Sequence, residues 1–204
     1  MTTSAGPWPS GMPCWADIMV SDIDRTRRFY GGLLGWDFAV GRGQRPEYLY
    51  AMLDGQEVAG LYPRHPGPDA RSRWSAYLAT DDIGATCAAV REAGGSLVVA
   101  PRPVGPLGTM AVCIDPLGAS FGLWQADELV GFGVRLVDGG LAWCELLSPR
   151  MEASQDFYAR TLGYEYTSIG LDGSEYLLFR SGGSETPGGG IVPLVGGHTA
   201  QWFI

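Results

Sequence analysis

The sequence predicts an α+β protein built from repeated βαβββ modules, and three observations support this prediction. Residues 13–38 have the pattern of a strand, an amphipathic helix and a second strand. A degraded copy of that stretch returns 128 residues later, at residues 141–166. A fainter copy of the whole pattern begins near residue 74. Self-similarity of this length indicates a modular architecture. The superposed pairs are Trp15 and Trp143, Asp17 and Glu145, Phe29 and Phe157, Tyr30 and Tyr158, Leu34 and Leu162, Gly35 and Gly163, and Phe38 and Tyr166.

The first module shows each element most clearly. Residues 14–20 alternate in polarity, which predicts a strand. Asp22 follows at a position where its carboxylate can cap the first turn of a helix. An apolar stripe at helical spacing then runs from Ile23 to Leu34, and Gly35 can supply the left-handed turn that ends the helix. Three strands are predicted next, at 36–40, 47–53 and 57–62.

The same sequence patterns predict how the whole chain divides into domains. Residues 1–12 are predicted to be a loose leader, because they are rich in proline and glycine and lack periodicity. Residues 13–126 form a complete domain with modules at 13–62 and 74–126, and residues 127–140 are a linker. Residues 141–204 form a second, incomplete domain, with a third module at 141–195 and the first strand of a fourth at the end of the sequence.

Composition excludes several classes of function. The net charge is −8 and the isoelectric point is near 4.7, so neither nucleic acid nor an anionic membrane is an expected partner. No apolar run is long enough to span a bilayer, and the first residues do not have the pattern of a secretory signal, which predicts a cytoplasmic location. All fourteen basic residues are arginine, which excludes Schiff-base chemistry on lysine. The four cysteines form no C-x-x-C pair and are predicted to be buried thiols.

Specific motifs add a family resemblance. The pieces are Val20-Ser21-Asp22, Phe29-Tyr30, Leu34-Gly35-Trp36, Asp115-Pro116-x-Gly118 and the run GASFGLWQ that starts at Gly118. Together with the repeat, they resemble the vicinal oxygen chelate superfamily of glyoxalases, bleomycin-resistance proteins and extradiol dioxygenases, in its tandem four-module form with most of the fourth module missing. The resemblance implies that modules pair and that their mixed sheets curl around a shared cleft.

The resemblance also implies where a metal would bind in metal-using members. The ligand positions fall on Trp15, Ser75, Gly122 and Trp143, and none of these binds a divalent ion in the usual way. The two histidines, His65 and His198, lie in connecting segments rather than on those strands. We therefore expect no metal and no cofactor.

Asp17 is the candidate catalytic residue. Residues two apart in a strand share a face, so Asp17 lies beside Trp15 on the face that holds the ligand in metal-using relatives. It could act as a general base, or it could hold a cationic or hydroxylated ligand. It could equally be a structural acid that an arginine or backbone N–H groups satisfy at the module junction. Glu145 is its equivalent in the repeat, and it too could be either a functional or a structural acid.

Aromatic and hydroxyl side chains around Asp17 are the candidate ligand-binding residues. Tryptophan and tyrosine offer flat contact surfaces with polar tips, which suits a planar organic ligand. Ordinary core packing is the alternative for most of them, and Tyr48 and Tyr77 are the two for which we favour binding. The full set is Trp15, Tyr48, Tyr50, Ser75, Tyr77, Trp124 and Glu145.

Three functions follow as hypotheses. The first is a metal-independent protein that binds an aromatic or polyketide-like compound, in antibiotic resistance or secondary metabolism. The second is a metal-free isomerase, lyase or cyclase that uses Asp17 as general base. The third, which the implied ligand positions disfavour, is a metal-dependent glyoxalase or dioxygenase. A single strand of a fourth module leaves an unpaired edge, so we also expect a homodimer.

Overall fold

The computed structural model of the protein describes residues 2–3, 6–42, 47–64, 72–171, 174–181, 183–196 and 198–204. Three helices in this part of the chain are α1 (Ile23–Leu34), α2 (Ile83–Glu92) and α3 (Met151–Leu162). The strands are β1 (Thr2–Thr3), β2 (Pro13–Val20), β3 (Asp37–Val40), β4 (Leu49–Leu53), β5 (Gln56–Pro63), β6 (Arg73–Ala79), β7 (Ser96–Pro103), β8 (Gly108–Ile114), β9 (Ser120–Ala126), β10 (Val134–Arg135), β11 (Glu145–Ser148), β12 (Glu165–Leu171), β13 (Ser174–Arg180), β14 (Gly189–Pro193) and β15 (Gln201–Phe203).

Eight strands form one mixed sheet in the order β3-β4-β5-β2-β6-β9-β8-β7. Strands β2 and β6 are antiparallel neighbours at its centre, and each pairs in parallel with the last strand of its own module, β5 or β9. The two halves therefore repeat the same arrangement on either side of the β2–β6 pair. The predicted α+β class, with few helices and mixed sheets, is confirmed.

Local sequence explains where the first helix begins and ends. The Asp22 side chain accepts a hydrogen bond from the backbone N–H of Arg25 at 2.8 Å, which satisfies one free donor of the first turn. At the other end Gly35 has a φ of 71°, in the left-handed region that glycine adopts without strain. Asp82 caps helix α2 in the same way, through the N–H of Ala85. The predicted cap and terminating glycine of the first helix are confirmed.

Five strands form the second mixed sheet, in the order β12-β13-β14-β11-β15. Strand β11 pairs in parallel with β14 and antiparallel with β15, as β2 pairs with β5 and β6 in the larger sheet. Helix α3 belongs to this unit and lies against α2. Aromatic residues of α3 and β9 meet there, with ring centroids of Phe157 and Phe121 6.3 Å apart. The helices thus join the two units through a shared apolar core.

The two faces of the eight-stranded sheet bury different side chains. One face packs against α1 and α2 and is mostly aliphatic, with Ile18, Leu61 and Leu123 buried on it. The other face carries Trp15, Tyr77 and Trp124, and we call it the aromatic face. Because alternate residues of a strand point to opposite faces, Asp17 lies on the aromatic face as the sequence predicts.

The segments on either side of the first domain differ from prediction. Residues 1–12 are predicted to be loose, but Thr2 and Thr3 pair with β10, and Trp8 and Met12 are buried. The linker at 127–140 contributes the buried Phe132 to the core of the aromatic face. Apolar side chains in both segments explain the difference, since burial of large apolar area outweighs the absence of regular periodicity. The prediction of a loose leader was therefore wrong for its described residues.

No helix among the described residues combines the length and apolar character that crossing a bilayer requires. The four cysteines are all described, and each is a buried free thiol as the sequence predicts. His65 lies outside the described residues, whereas His198 is exposed in the segment before β15.

Candidate functional site

The site lies where the two modules meet at the centre of the aromatic face. In the register of the sheet, Asp17 is beside Gly60 on β5 and opposite Ser75 on β6. Trp15 is opposite Tyr77, which in turn is beside Gly122 on β9. Asp17 and Tyr77 therefore occupy equivalent places in the two modules, and each has a glycine as its parallel neighbour.

Both glycines carry a tyrosine directly above them. A Cβ atom built on Gly122 would come 2.1 Å from Cδ1 of Tyr77, and one built on Gly60 would clash with the hydroxyl oxygen of Tyr48. Any side chain at either position would have to displace a phenol ring. Tyr48 and Tyr77 therefore cover the two glycines, and both phenols lie close enough to Asp17 for its charge to act on them.

A hydrogen bond links two residues of this cluster. The indole Nε1 of Trp15 donates to the hydroxyl of Tyr48 at 2.8 Å. The charge of the Asp17 carboxylate acts on the hydroxyls of both Tyr48 and Tyr77. Burial first, and then Asp17, raise the pKa of both phenols well above the usual tyrosine value. Both tyrosines consequently remain neutral hydrogen-bond donors through the physiological pH range.

One end of the aromatic face is closed by the chain itself. The ring of Phe132 lies 5.6 Å from that of Trp15, and its backbone N–H donates to the carbonyl of Cys14 at 2.8 Å. Trp8 adds a hydrogen bond from Nε1 to the Phe132 carbonyl at 3.3 Å. Trp124 donates to the carbonyl of Leu129 at 2.8 Å. Ligand access past Trp15 from this end would require these contacts to break.

The other end, toward the last residues of β2, is less buried. Met19, Tyr48, Tyr62 and Ser75 are half-buried there, whereas Asp17 is only 4% exposed. The rings of Tyr48 and Tyr62 stack with their centroids 6.0 Å apart and their planes within 11°. This parallel pair forms a flat aromatic wall leading to the carboxylate.

The structure brings together six of the seven predicted ligand-binding residues and Asp17. Trp15, Tyr50, Tyr77 and Trp124 are buried on the aromatic face, with Tyr48 and Ser75 half-buried beside them. Tyr48 precedes strand β4 rather than lying inside it, because regular pairing with β5 begins at Leu49. Glu145 is not part of this cluster, since it lies on β11 of the five-stranded sheet.

The residues present do not fit a divalent metal at the positions that the resemblance implies. Gly122 has no side chain, and the Tyr77 ring occupies the space in which a carboxylate would start. The indole of Trp15 is an N–H donor and offers no lone pair to a metal. No three His, Cys, Asp or Glu side chains in the described part of the chain lie close enough to share an ion.

Sequence reasoning missed several residues that shape the site. Tyr62 is absent from the predicted ligand-binding set, although its alternation with Gly60 along β5 places it on the same face as Asp17. Trp8 and Phe132 lie in the predicted leader and the predicted linker. Their large apolar side chains were the only available signal, because neither segment has strand or helix periodicity.

Comparison with known proteins identifies the class. The model of the Glyoxalase/Bleomycin resistance protein/Dioxygenase superfamily matches residues 14–123. A crystal structure of the Mn(II)-bound glyoxalase from Novosphingobium aromaticivorans has the same fold, with a TM-score of 0.66 at 20% identity. The match covers 91% of this chain and 62% of that one. Fold and family model together define a glyoxalase-type α+β protein.

Two curated relatives match along almost the whole chain. CFP32 of Mycobacterium tuberculosis is 31% identical over 199 residues, and the anthracycline biosynthesis protein DnrV of Streptomyces peucetius is 32% identical over 211. Each match covers 95% of this chain and 76% of the relative. The chain belongs to the glyoxalase/bleomycin resistance/dioxygenase superfamily.

Proposed function

We propose that the protein binds a planar organic molecule between the two modules of the eight-stranded sheet, without a divalent metal. The observation that supports this most directly is the seating of Tyr48 and Tyr77 on Gly60 and Gly122. At the centre of the aromatic face, a carboxylate and two neutral phenols stand in the space that a metal and its ligands would need. Such a set offers both hydrogen-bond acceptors and donors to a hydroxylated ligand.

The aromatic lining sets the ligand class. Stacked Tyr48 and Tyr62 present a flat wall. The rings of Trp15 and Tyr50, with centroids 5.8 Å apart, lie next to Tyr48. Flat aromatic surfaces with few polar groups favour a fused-ring or polyketide-like compound. The similarity to a protein named for anthracycline biosynthesis supports a role in secondary metabolism.

An enzymatic role is the second candidate, and the environment of Asp17 favours it. The carboxylate is 4% exposed, and its charge acts on the neutral phenols of Tyr48 and Tyr77. A buried carboxylate next to a neutral phenol can remove a proton from a carbon or hydroxyl while the phenol stabilises the resulting oxyanion. An isomerase, lyase or cyclase reaction would use these two groups in those roles.

The binding proposal is tested by blocking the less buried end. Wild type, Ser75→Trp and a control, Ser168→Trp on the exposed surface of β12, are titrated by calorimetry with 1,2-dihydroxyanthraquinone and other hydroxylated fused-ring compounds. We expect binding to wild type and the control and none to Ser75→Trp. Equal binding by all three proteins, or binding of no compound to wild type, would contradict the proposed site.

Turnover separates the two candidates. Each bound compound is incubated with wild type and with Asp17→Asn, and products are followed by mass spectrometry. A product that forms with wild type and is lost in Asp17→Asn supports the enzyme. A bound compound that is recovered unchanged supports binding alone. Stoichiometric divalent metal in the purified protein, measured by mass spectrometry of the elements, would overturn the metal-free proposal in both forms.

A further inference from the structure

A second indole–phenol–carboxylate set lies on the five-stranded sheet. Nε1 of Trp143 donates to the hydroxyl of Tyr176 at 2.7 Å, and that hydroxyl donates to Oε1 of Glu145 at 2.6 Å. These residues are the repeat equivalents of Trp15, Tyr48 and Asp17, 128 positions further along the chain. The phenol is again seated on a glycine, since a Cβ on Gly190 would come 2.2 Å from the Tyr176 hydroxyl oxygen. The repeat has therefore kept a geometry as well as residue types.

The second set differs from the first in its exposure. Asp17 is 4% exposed, whereas Glu145 is half-buried. In the register of the sheet, Phe203 of β15 lies directly beside Glu145 and is 46% exposed. On the other side Ile169 lies opposite Tyr176 and is 39% exposed. Paired residues of neighbouring strands share a face, so apolar side chains that reach solvent lie on the same face of the sheet as the carboxylate.

Leucine and valine complete this surface. Leu147 follows Glu145 on the same face of β11, and its parallel partner is Val192 of β14. Both side chains are half-buried. Together with Phe203 they form an apolar floor next to a fixed acceptor. A flat or branched apolar group could lie on this floor while a polar end reaches Glu145.

The hydrogen bonds determine which polar end would fit. The Tyr176 proton is directed to Oε1, and burial chiefly raises the pKa of this phenol to about 12, so it does not ionise near neutral pH. The phenol oxygen already accepts from Trp143. The Glu145 carboxylate can still accept hydrogen bonds from a ligand. No arginine or histidine within the described ranges forms an ion pair with Glu145.

A ligand for this set must therefore bring hydrogen-bond donors, positive charge and apolar surface. An organic ammonium has all three, whereas a carboxylate or phosphate would be repelled. We propose that Glu145, oriented by Tyr176 and Trp143, binds an organic ammonium ion whose apolar part lies on Leu147, Val192 and Phe203. This site is separate from the one between the first two modules and does not depend on its function.

Benzylammonium is the probe for this proposal, and nuclear magnetic resonance gives the position of binding. The indole N–H signals of a ¹⁵N-labelled protein are followed during the titration, with Trp143 assigned from Trp143→Phe. We expect the Trp143 signal to shift and to saturate, and the Trp15 signal to stay in place. Benzyl alcohol should bind at least about tenfold more weakly, since it offers the carboxylate one donor and no positive charge.

Variants test the carboxylate itself. Glu145→Gln keeps the shape and removes the charge, and we expect affinity for benzylammonium to fall by about tenfold or more. Tyr176→Phe keeps the carboxylate but removes the hydrogen bond that orients it. This variant should weaken binding less than Glu145→Gln does. The matched control is Glu175→Gln, because Glu175 is exposed on the opposite face of β13 and should have no effect.

Three results would overturn the proposal. One is a wild-type protein whose Trp143 signal does not move with benzylammonium. Another is a shift of Trp15 alone, which would place the ammonium in the other site. The third is unchanged affinity in a folded Glu145→Gln. If that variant does not fold, Tyr176→Phe and the comparison with benzyl alcohol decide the question, since neither removes the carboxylate.

Discussion

The ring of Tyr77 lies against Gly122, so close that a Cβ atom at the glycine would sit 2.1 Å from Cδ1 of the ring. Strand β9 thus lacks a side chain at the one place where a metal-using relative is expected to have an acid. The contact links two features that are separate in sequence: an aromatic residue on the first strand of a module and a glycine on its last strand. It also holds Tyr77 where the charge of Asp17 acts on the phenol.

Gly122→Ala tests how tightly this contact is packed. The added methyl group must push the Tyr77 ring away, and overpacking of a buried contact costs about 1–3 kcal/mol of unfolding free energy. Urea denaturation followed by circular dichroism measures the change. Gly32→Ala is the control: Gly32 is in helix α1 with nothing within 4 Å of a built Cβ, and alanine there should stabilise by up to about 1 kcal/mol. A neutral Gly122→Ala would show that Tyr77 moves freely.

Tyr48→Phe tests the hydrogen bond that holds the other phenol. Trp15 is 5% exposed, and without the Tyr48 hydroxyl its indole N–H would lose the acceptor 2.8 Å away. A buried donor left unsatisfied costs about 1–3 kcal/mol, and denaturant unfolding measures that loss.

Tyr50→Phe is the matched control for Tyr48→Phe. Tyr50 is a buried neighbour on the same face, and its hydroxyl forms no hydrogen bond with the described residues. We expect Tyr50→Phe to change the free energy of unfolding by less than about 0.5 kcal/mol. Equal effects of the two substitutions would mean that the Trp15–Tyr48 bond does not contribute to stability.

The repeat itself provides a matched pair for the apolar core. Phe157 on α3 is 2% exposed and packs against Phe121, whereas its equivalent Phe29 on α1 is 59% exposed. Phe157→Ala should therefore cost about 3–5 kcal/mol and Phe29→Ala less than about 1 kcal/mol. Thermal and urea unfolding of the two variants check this directly. Similar losses in both would mean that α1 is covered in solution by a surface that the folded chain does not itself provide.

This pair also shows what the sequence could and could not predict. The fold, the helix cap at Asp22 and the helix end at Gly35 were predictable, because they depend on short-range pattern and on backbone conformation. The face on which Asp17 and Trp15 lie followed from the two-residue period of a strand. Sequence could not distinguish Phe29 from Phe157, since the residues that cover a helix come from distant parts of the chain.

The candidate site was predictable to a similar degree. The repeat indicated Trp15, Asp17 and Tyr48, and the strand period indicated Tyr77. The closure of one end by Trp8 and Phe132 was not predictable, because tertiary packing rather than local pattern places those side chains. The sequence predicts that Glu145 and Asp17 bind the same ligand, but the two residues lie on different sheets. Residues that are equivalent in a repeat can share a local geometry, but the repeat does not show where in the fold each of them lies.

Asp115 provides a prediction about pH. Its carboxylate is 3% exposed and accepts hydrogen bonds from the backbone of Leu117 and Ala119 and from the hydroxyl of Tyr158 on α3. Burial is the largest effect and raises the pKa above the usual aspartate value, against the opposing effect of these hydrogen bonds. The turn that joins β8 to β9 therefore carries a group that binds its proton more tightly in the folded state than in the unfolded state.

The sign of the pH dependence follows from that difference. Between the unfolded pKa, near about 4, and the raised folded value, the folded protein binds more protons, so the free energy of unfolding falls as the pH rises. Asp115→Asn does not titrate, so the stability of wild type minus that of the variant should decrease with rising pH across this window and level off above it. Urea denaturation of both proteins from acidic to neutral pH measures the difference. A difference that grows with pH would show that the hydrogen bonds from Leu117, Ala119 and Tyr158 outweigh burial, and that the folded protein favours the carboxylate.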